Sequence, residues 1–464
     1  MKICDVLKDV DILESFLYNP NKEIFGIKKS ENDVGNVFVC LNGEKFNSHL
    51  LSLKSINADV FIVEEIDYNE QKMQIKVKNT RKILLKILIN FNKVDVSKIK
   101  VIGITGTNGK TTIATFTGFL LEKLGKSVAT LGTNGLYLNK KNFITNLTTP
   151  EPFEFVKYLS LMQKNGVEYL VMEVSAHAIK QFRVYGLNFV AKAVTNLTQD
   201  HLDDFYSLEE YAYFKYSFTL DTPLRLINID NRFGAKFVSC CGGISVSNKR
   251  KAKIQFKNKK DILSIKFFNK NYSFKHNQKT PFNVFNLVIS ICFCLLLNFK
   301  KQEISKFTCC MPKVSGRYNL ITFGKRVICI DYAHTPDAIK NVLKDLKGKF
   351  KSVITVFGSS GYRDCLKREI MGKIASKYSD FIILTADNPK NENVKQICAQ
   401  IASGIGSEKY VVIEKRAEAI KYAFSICKCG AIAILGKGNE EFQECKTNEK
   451  YNDFDVVKNL IYRE

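Results

Sequence analysis

The sequence predicts an α/β protein of three domains: a small N-terminal α/β domain over residues 1–97, a central domain with a mostly parallel sheet over 98–313, and a C-terminal doubly wound, Rossmann-like domain over 314–464. Three observations predict it. At 464 residues the chain exceeds what one hydrophobic core usually supports. Short apolar runs alternate with helix-period segments along most of its length, the pattern of parallel strands joined by crossover helices. Finally, "IGITGTNGKTT", Ile102–Thr112, links an apolar run to an apolar-periodic one through a glycine-rich loop. A phosphate-binding loop between strand and helix reads this way, which makes the central domain of the P-loop ATPase type.

The elements follow in order. "NVFVCL" and "ADVFIVEE" read as strands of the first domain, which ends in the periodic segment "TRKILLKILINF". In the second, "YLVMEVS" and "AKAVTNLT" are strands among helical stretches, and "SNKRKAKIQFKNKKD" reads as an exposed, basic hairpin region. "LVISICFCLLL", Leu287–Leu297, is well short of the ~20 apolar residues a membrane span needs and reads as a buried helix. In the third, "RVICIDYA", "SVITVFG", "DFIILTAD", "YVVIE" and "AIAILG" are strands with helices between them.

The net charge of +24 invites a nucleic-acid or membrane reading. Yet only 11 of the 70 basic residues are arginine, and the lysines are spread without an aromatic-interleaved patch. Compositional drift explains that better than selection for a polyanion, so neither nucleic acid nor membrane is expected as a partner. The 14 cysteines lack the paired CxxC spacing of a zinc site and read as free thiols. No N-terminal segment has the build of a secretory signal, so a cytoplasmic protein is expected.

Chemistry concentrates around the loop. Backbone amides of Gly106, Thr107, Asn108, Gly109, Lys110, Thr111 and Thr112 can bind phosphates, Lys110 can reach the β/γ-phosphates, and the Thr111 hydroxyl can hold Mg²⁺. Two strand ends then carry candidate metal ligands, Glu173 with Ser175 in "VMEVSAH" and Asp200 with His201 in "VTNLTQDHLDDF". Ligands of open α/β sheets bind beyond such strand ends, so Glu173 and His201 are expected to converge on Mg²⁺.

In order along the chain, "GTNGKTT", "TTPEP", "MEVSAHAIKQFRV", "TNLTQDHLD", "FNVFN", "SGRYN", "DYAHTPDA", "DNP" and "GKGNEEFQ" resemble the Mur ligase family, in its MurE type. The resemblance spans essentially the whole chain. It implies an ATP-dependent amide ligase of peptidoglycan precursor synthesis. In that family ATP phosphorylates the D-glutamyl side-chain carboxylate of UDP-N-acetylmuramoyl-L-Ala-D-Glu, and the amine of a diamino acid displaces phosphate from the acyl phosphate. A carboxylate is a poor electrophile until such a leaving group is installed.

Position by position, the resemblance implies that Lys110 and Thr111 hold the triphosphate and its magnesium, with Glu173 and His201 as further ligands. Lys215, in "EEYAYFKYSF", matches a lysine carbamylated by CO₂ to N6-carboxylysine, an added metal ligand. Carbamylation needs a neutral amine and hence a perturbed pKa. Asn283, Asn286, Arg317, Asp331 and His334 match ATP-contacting positions. Thr148, Thr149, Ser175, Gln181 and Arg183 match positions that grip the UDP-linked dipeptide, and Ser30 is the candidate uridine contact. Arg368, Asp387, Asn388, Lys390, Gly436 and Glu440 match the pocket for the incoming amino acid. A monomer is expected.

The chain departs from the family at "DNPK", Asp387–Lys390, where diaminopimelate-adding members carry arginine last and lysine-adding members usually alanine. A cation there favours the distal carboxylate of meso-diaminopimelate and disfavours L-lysine, although lysine cannot make arginine's bidentate fork. L-Lysine stays the second substrate reading. "GIKKSEN" retains only Ser30 of the family's Asp-Ser-Arg, and Asn439 stands where histidine is usual. A retired ligase acting as a non-catalytic binding protein is the rival outside enzymology. It predicts decay at Lys110, Glu173, His201 and Lys215, all of which are present.

Overall fold

The structure, a computed structural model, describes all residues except 31, 44–46, 52, 201–203, 446–448 and 463–464, and leaves the side chains of residues 50 and 407 undescribed. The chain forms two compact units. The first comprises Met1–Thr105, Leu121–Lys192 and Asp221–Leu224, and the second Gly106–Leu120, Ala193–Leu220 and Arg225–Glu464. The class is the α/β one read from the alternation of apolar runs.

In the first unit, the strands Ile12–Phe16, Met73–Val77, Val60–Val63, Val37–Val39 and Ile27–Lys28 lie side by side in that order. The outermost pair, Ile12–Phe16 with Met73–Val77, is antiparallel and the rest are parallel. Helix Thr80–Phe91 follows, its start fixed by Asn79, whose side chain accepts from the Lys82 amide. Leu84, Leu85 and Leu88 recur at helical spacing and are buried. A second group of strands places Tyr169–Glu173 between Lys100–Thr105 and Val128–Gly132, all parallel. Glu173 and the entry to the glycine loop thereby sit at the carboxyl ends of neighbouring strands. An antiparallel hairpin, Gly135–Leu138 and Lys141–Phe143, adds to Val128–Gly132.

In the second unit, Arg225–Asn228, Ile244–Ser247 and Ile254–Lys259 are parallel, and Ile262–Phe267 and Lys270–Lys275 continue them antiparallel. The basic segment expected to be a hairpin enters this meander. Helix Pro281–Leu296 is the apolar one expected, with Leu287–Cys294 fully buried. No helix among the described residues is long and apolar enough to cross a membrane. All 14 cysteines are free thiols.

The last sheet runs Asn319–Phe323, Arg326–Asp331, Gly430–Leu435, Val353–Phe357, Phe381–Leu384, Tyr410–Val412, antiparallel only at the first pair. Its inner strands are apolar on both faces. In "GAIAIL", Ala431, Ala433 and Leu435 join a core with helices Pro336–Lys349, Leu366–Tyr378 and Val394–Ala402, while Ile432 and Ile434 join one with Arg416–Ile426 and Asp453–Ile461. The period of two therefore feeds two cores, which is what doubly wound means physically.

One buried ion pair ties the second core to the strand ends. Arg416 Nε and Nη2 each donate to an Asp453 oxygen at 2.8 Å, and Nη2 also donates to the Leu435 carbonyl at 3.0 Å. Both side chains have no exposure at all. Removing one partner strands the other charge, so Asp453→Asn is expected to cost about 3–5 kcal/mol, read as a shifted urea midpoint with unchanged slope.

Candidate active site

The loop Gly106–Thr112 owes its path to two glycines. Gly106 has φ +142° and a Cβ there would lie 1.9 Å from Thr195 Oγ1; Gly109 has φ +90° and its Cβ would lie 2.7 Å from Asn286 Oδ1. At these backbone angles any other residue is strained, and its side chain must displace the Thr195 or Asn286 side chain. The loop is stapled to Thr195–Thr198: Thr195 Oγ1 donates to the Asn108 carbonyl at 2.6 Å, Asn196 Oδ1 accepts from the Asn108 amide at 2.8 Å, and Thr107 Oγ1 donates to the Thr198 carbonyl at 3.2 Å. Thr107, Thr111 and Thr112 are buried.

Two lysines meet at this loop. Lys110 Nζ donates to the carbonyls of Gly106 and Thr107, both at 2.9 Å, and Lys215 Nζ donates to Gly106 O at 2.9 Å. Lys215 is 1% exposed, with its ammonium over the Tyr211 ring at 4.5 Å. Burial pushes its amine well below the ordinary lysine range, the Lys110 cation adds to this, and Asp200 opposes it. The direction of this shift is the one that the family resemblance implies for Lys215.

Later segments reach the same loop. Arg317 Nη2 donates to Thr111 Oγ1 at 3.0 Å while its guanidinium lies 4.2 Å over the Tyr332 ring. Asp331 accepts from the amides of Tyr318 and Ala333 at 2.5 and 2.7 Å, a turn-shaping role, and burial raises its carboxyl to about 6. His334 Nδ1 lies 2.8 Å from the Tyr332 carbonyl, and its Nε2 lies 3.9 Å from Asp200 Oδ2. Asn286 Nδ2 donates to Asn283 Oδ1 at 3.3 Å.

In the first unit, the residues matched to the dipeptide form one network. Thr149 Oγ1 donates to Glu173 O and accepts from the Ser175 amide, both at 3.0 Å. Arg183 donates to Thr149 O at 3.0 Å and to Gln181 Oε1 through two nitrogens, and pairs with Glu151 at 2.7 Å. Thr148 Oγ1 lies 3.2 Å from Thr133 Oγ1. Glu173, 1% exposed, accepts from the Thr133 amide at 2.8 Å, and Gly132 has no room for a Cβ because Glu173 Oε1 would be 2.0 Å away. Ser30 lies in a separate turn, its amide held by Asp33. His201 falls outside the described residues.

Of the residues matched to the incoming amino acid, Asp387, Asn388, Lys390, Gly436 and Glu440 cluster past the ends of the last sheet, whereas Arg368 is buried in helix Leu366–Tyr378. Asn388 Nδ2 donates to Glu440 Oε2 at 2.8 Å, and a Cβ at Gly436 (φ +114°) would lie 2.3 Å from Asp387 Oδ2. Burial raises the Asp387 carboxyl to about 6, against the pull of Arg416 and Lys437. Arg368, 1% exposed, is clamped by both Glu392 oxygens at 2.5 and 2.9 Å and by Gln400. Lys390 holds φ +54° beside Glu444.

The motifs read in the sequence assign no role to several residues packed against these positions. Lys437, fully buried, donates to Asn388 Oδ1, Glu440 Oε2 and Phe442 O at 2.8–2.9 Å, and its place between two glycines in "GKG" was the available signal. Lys367 pairs with Asp200 at 3.1 Å with both nearly buried. Nothing local marks it among so many lysines. Thr195 and Asn196 were read as strand, although they anchor the loop.

Among known proteins, the description "Mur ligase middle domain" matches residues 104–294 and "Mur ligase, glutamate ligase domain" matches 316–438. Three relatives are named UDP-N-acetylmuramoyl-L-alanyl-D-glutamate--2,6-diaminopimelate ligase. That of Caldanaerobacter subterraneus is 36% identical over 99% of both chains, and that of Aquifex aeolicus 35% identical over 95% of this chain and 94% of its own. That of Clostridium botulinum is 33% identical over 98% of each. A solved structure with the same name superposes at TM-score 0.67 with 24% identity, covering 100% of this chain and 99% of its own. MurF from Acinetobacter baumannii gives TM-score 0.61 at 16% identity, over 94% and 93%.

The His334 environment sets a pH dependence. Burial lowers its imidazole from 6.5 to about 4, with Lys367 reinforcing the shift and Asp200 opposing it. Between those values the unfolded chain binds the proton that the folded one refuses, so this contribution to stability is full above pH 6.5 and lost as pH falls toward 4. Calorimetric scans are expected to show the melting temperature falling across that window, with a shallower fall in His334→Gln.

Proposed function

The chain belongs to the Mur ligase family, and on that premise we propose that it is the ATP-dependent ligase that adds meso-diaminopimelate to UDP-N-acetylmuramoyl-L-Ala-D-Glu in peptidoglycan precursor synthesis. The observation that carries the reading is the buried Lys215 amine, held on the phosphate loop beside Lys110. A solvated lysine would be protonated and inert toward CO₂. This one is driven toward the neutral amine, which can add CO₂, lose a proton and become a carbamate anion.

The proposed division is 1–97 for the UDP end of the substrate, 98–313 for ATP and 314–464 for the incoming amino acid. Loop amides 106–112 and Lys110 take the triphosphate, with Asn283, Asn286, Arg317, Asp331 and His334 as the other nucleotide residues. Arg317 brings a fixed positive charge to Thr111, where anionic charge accumulates. Ser30, Thr148, Thr149, Ser175, Gln181 and Arg183 hold the UDP-linked dipeptide, whose D-glutamyl carboxylate receives the γ-phosphoryl group. That carboxylate oxygen attacks phosphorus, ADP leaves, and the amine of the diamino acid then attacks the acyl carbon and expels phosphate. Burial around the loop excludes water that would hydrolyse the acyl phosphate.

Among the described residues no group of three or more His, Cys, Asp or Glu is placed to hold a metal. Magnesium, however, binds through few hard oxygen ligands and completes its shell with substrate phosphates and water. The proposed ligands are Thr111, the buried carboxylate of Glu173, His201 and carbamylated Lys215. When bound, the ion offsets triphosphate charge and polarises the γ-phosphoryl group.

Arg368, Asp387, Asn388, Lys390, Gly436 and Glu440 make the amino-acid pocket, with Lys390 receiving the distal carboxylate. We place the enzyme in the cytoplasm as a monomer. The test is competition: ATP, Mg²⁺, bicarbonate and the UDP-dipeptide with equal meso-diaminopimelate and L-lysine, weighed by mass spectrometry. A diaminopimelate tripeptide with stoichiometric ADP is expected. A lysine tripeptide contradicts the Lys390 reading, and absence of both product and ADP contradicts the ligase reading.

A further inference from the structure

Lys390 does not stand in its loop as a lone cation. Its Nζ lies 3.9 Å from Glu444 Oε2, and the two chain segments are bonded together: Lys390 N donates to Glu444 O at 2.8 Å, Glu444 N to Asn388 Oδ1 at 3.0 Å, and Gln443 Nε2 to Asp387 O at 2.7 Å. These bonds fix residues 443–444 against the whole Asp387–Lys390 turn. Both charged side chains keep access to solvent, at 33% and 55% exposure, so a ligand can reach them. Of the other carboxylates of the cluster, Glu440 is engaged by Lys437 at 2.9 Å and Asn388 at 2.8 Å, and Asp387 is buried with its Oδ2 against Gly436.

We infer that Glu444 is a specificity-determining residue that reads the distal ammonium of the incoming amino acid, so that Lys390 and Glu444 together select a substrate whose far end is a zwitterion. The inference rests on the ligase reading above and deepens it. Ammonium and carboxylate borne on one carbon can address both charges of a pair this closely spaced. L-Lysine offers an ammonium alone and leaves Lys390 facing a like charge, whereas a plain distal carboxylate leaves Glu444 unmatched. Selectivity thus comes from a matched pair, which compensates for the bidentate contact lysine cannot make. The same chemistry explains why an anion sits beside the residue assigned to receive a carboxylate: it is the counter-charge for the neighbouring amine.

The experiment compares meso-diaminopimelate with 2-aminopimelate, which keeps the reacting end and the distal carboxylate but lacks the distal amine, on the unmodified protein, Glu444→Gln and Glu444→Asp. The unmodified protein is expected to favour meso-diaminopimelate in kcat/KM, and Glu444→Gln to lose about fivefold on that substrate alone, through KM, as expected for a partly exposed ion pair. Glu444→Asp is expected to recover part of the preference. An unchanged ratio in Glu444→Gln, or equal losses on both substrates, overturns the inference while leaving the ligase reading intact. If the unmodified protein turns over neither compound and releases no ADP, the ligase reading fails and this inference with it.

Discussion

Lys215 carries an amine almost wholly out of water, 2.9 Å from the same Gly106 carbonyl that Lys110 addresses. Two ammonium groups on one carbonyl oppose each other, and desolvation penalises the buried one far more than the half-buried one. The surrounding structure can be understood as what holds this costly arrangement in place. Gly106 admits Thr195 at a distance that excludes any side chain, and Thr195 in turn anchors Asn108. Asp200 supplies a compensating negative charge from a buried pair with Lys367.

The same economy governs the last sheet. Strand ends deliver Asp331, Asp387 and Gly436 to one rim, and burial raises both carboxyls toward neutrality. Arg416 crosses beneath this rim to Asp453 while bonding the Leu435 carbonyl, so helix packing on one face sets the position of a turn used on the other. Rigid placement matters because the chemistry assigned to this family needs an amine and an acyl phosphate held in register.

How legible this was in the sequence varied with range. The glycine loop was readable because its requirement is local: two positions with positive φ, a lysine and a threonine at fixed offsets. The helix Thr80–Phe91 was readable because a single cap and a 3.6-residue period settle it. The hairpin Gly135–Phe143 was missed. Its turn has positive φ at both Asn139 and Lys140, and lysine at the second position hides the Asn-Gly signature of such turns. Lys215 is one of 59 lysines and sits on an ordinary-looking helix. Only the family resemblance singled it out, because its burial depends on a loop more than a hundred residues earlier. Lys367 and Thr195 escaped notice for the same reason, and Glu444 followed a motif that ended one residue before it.

The central claim, that the fold drives Lys215 toward a neutral amine able to take up CO₂, is tested most directly by carbon-13 NMR of the purified protein equilibrated with ¹³C-bicarbonate. The account predicts one protected carbamate resonance that is absent in Lys215→Met. A spectrum without that resonance at saturating bicarbonate, from protein that still ligates the UDP-dipeptide, would contradict it.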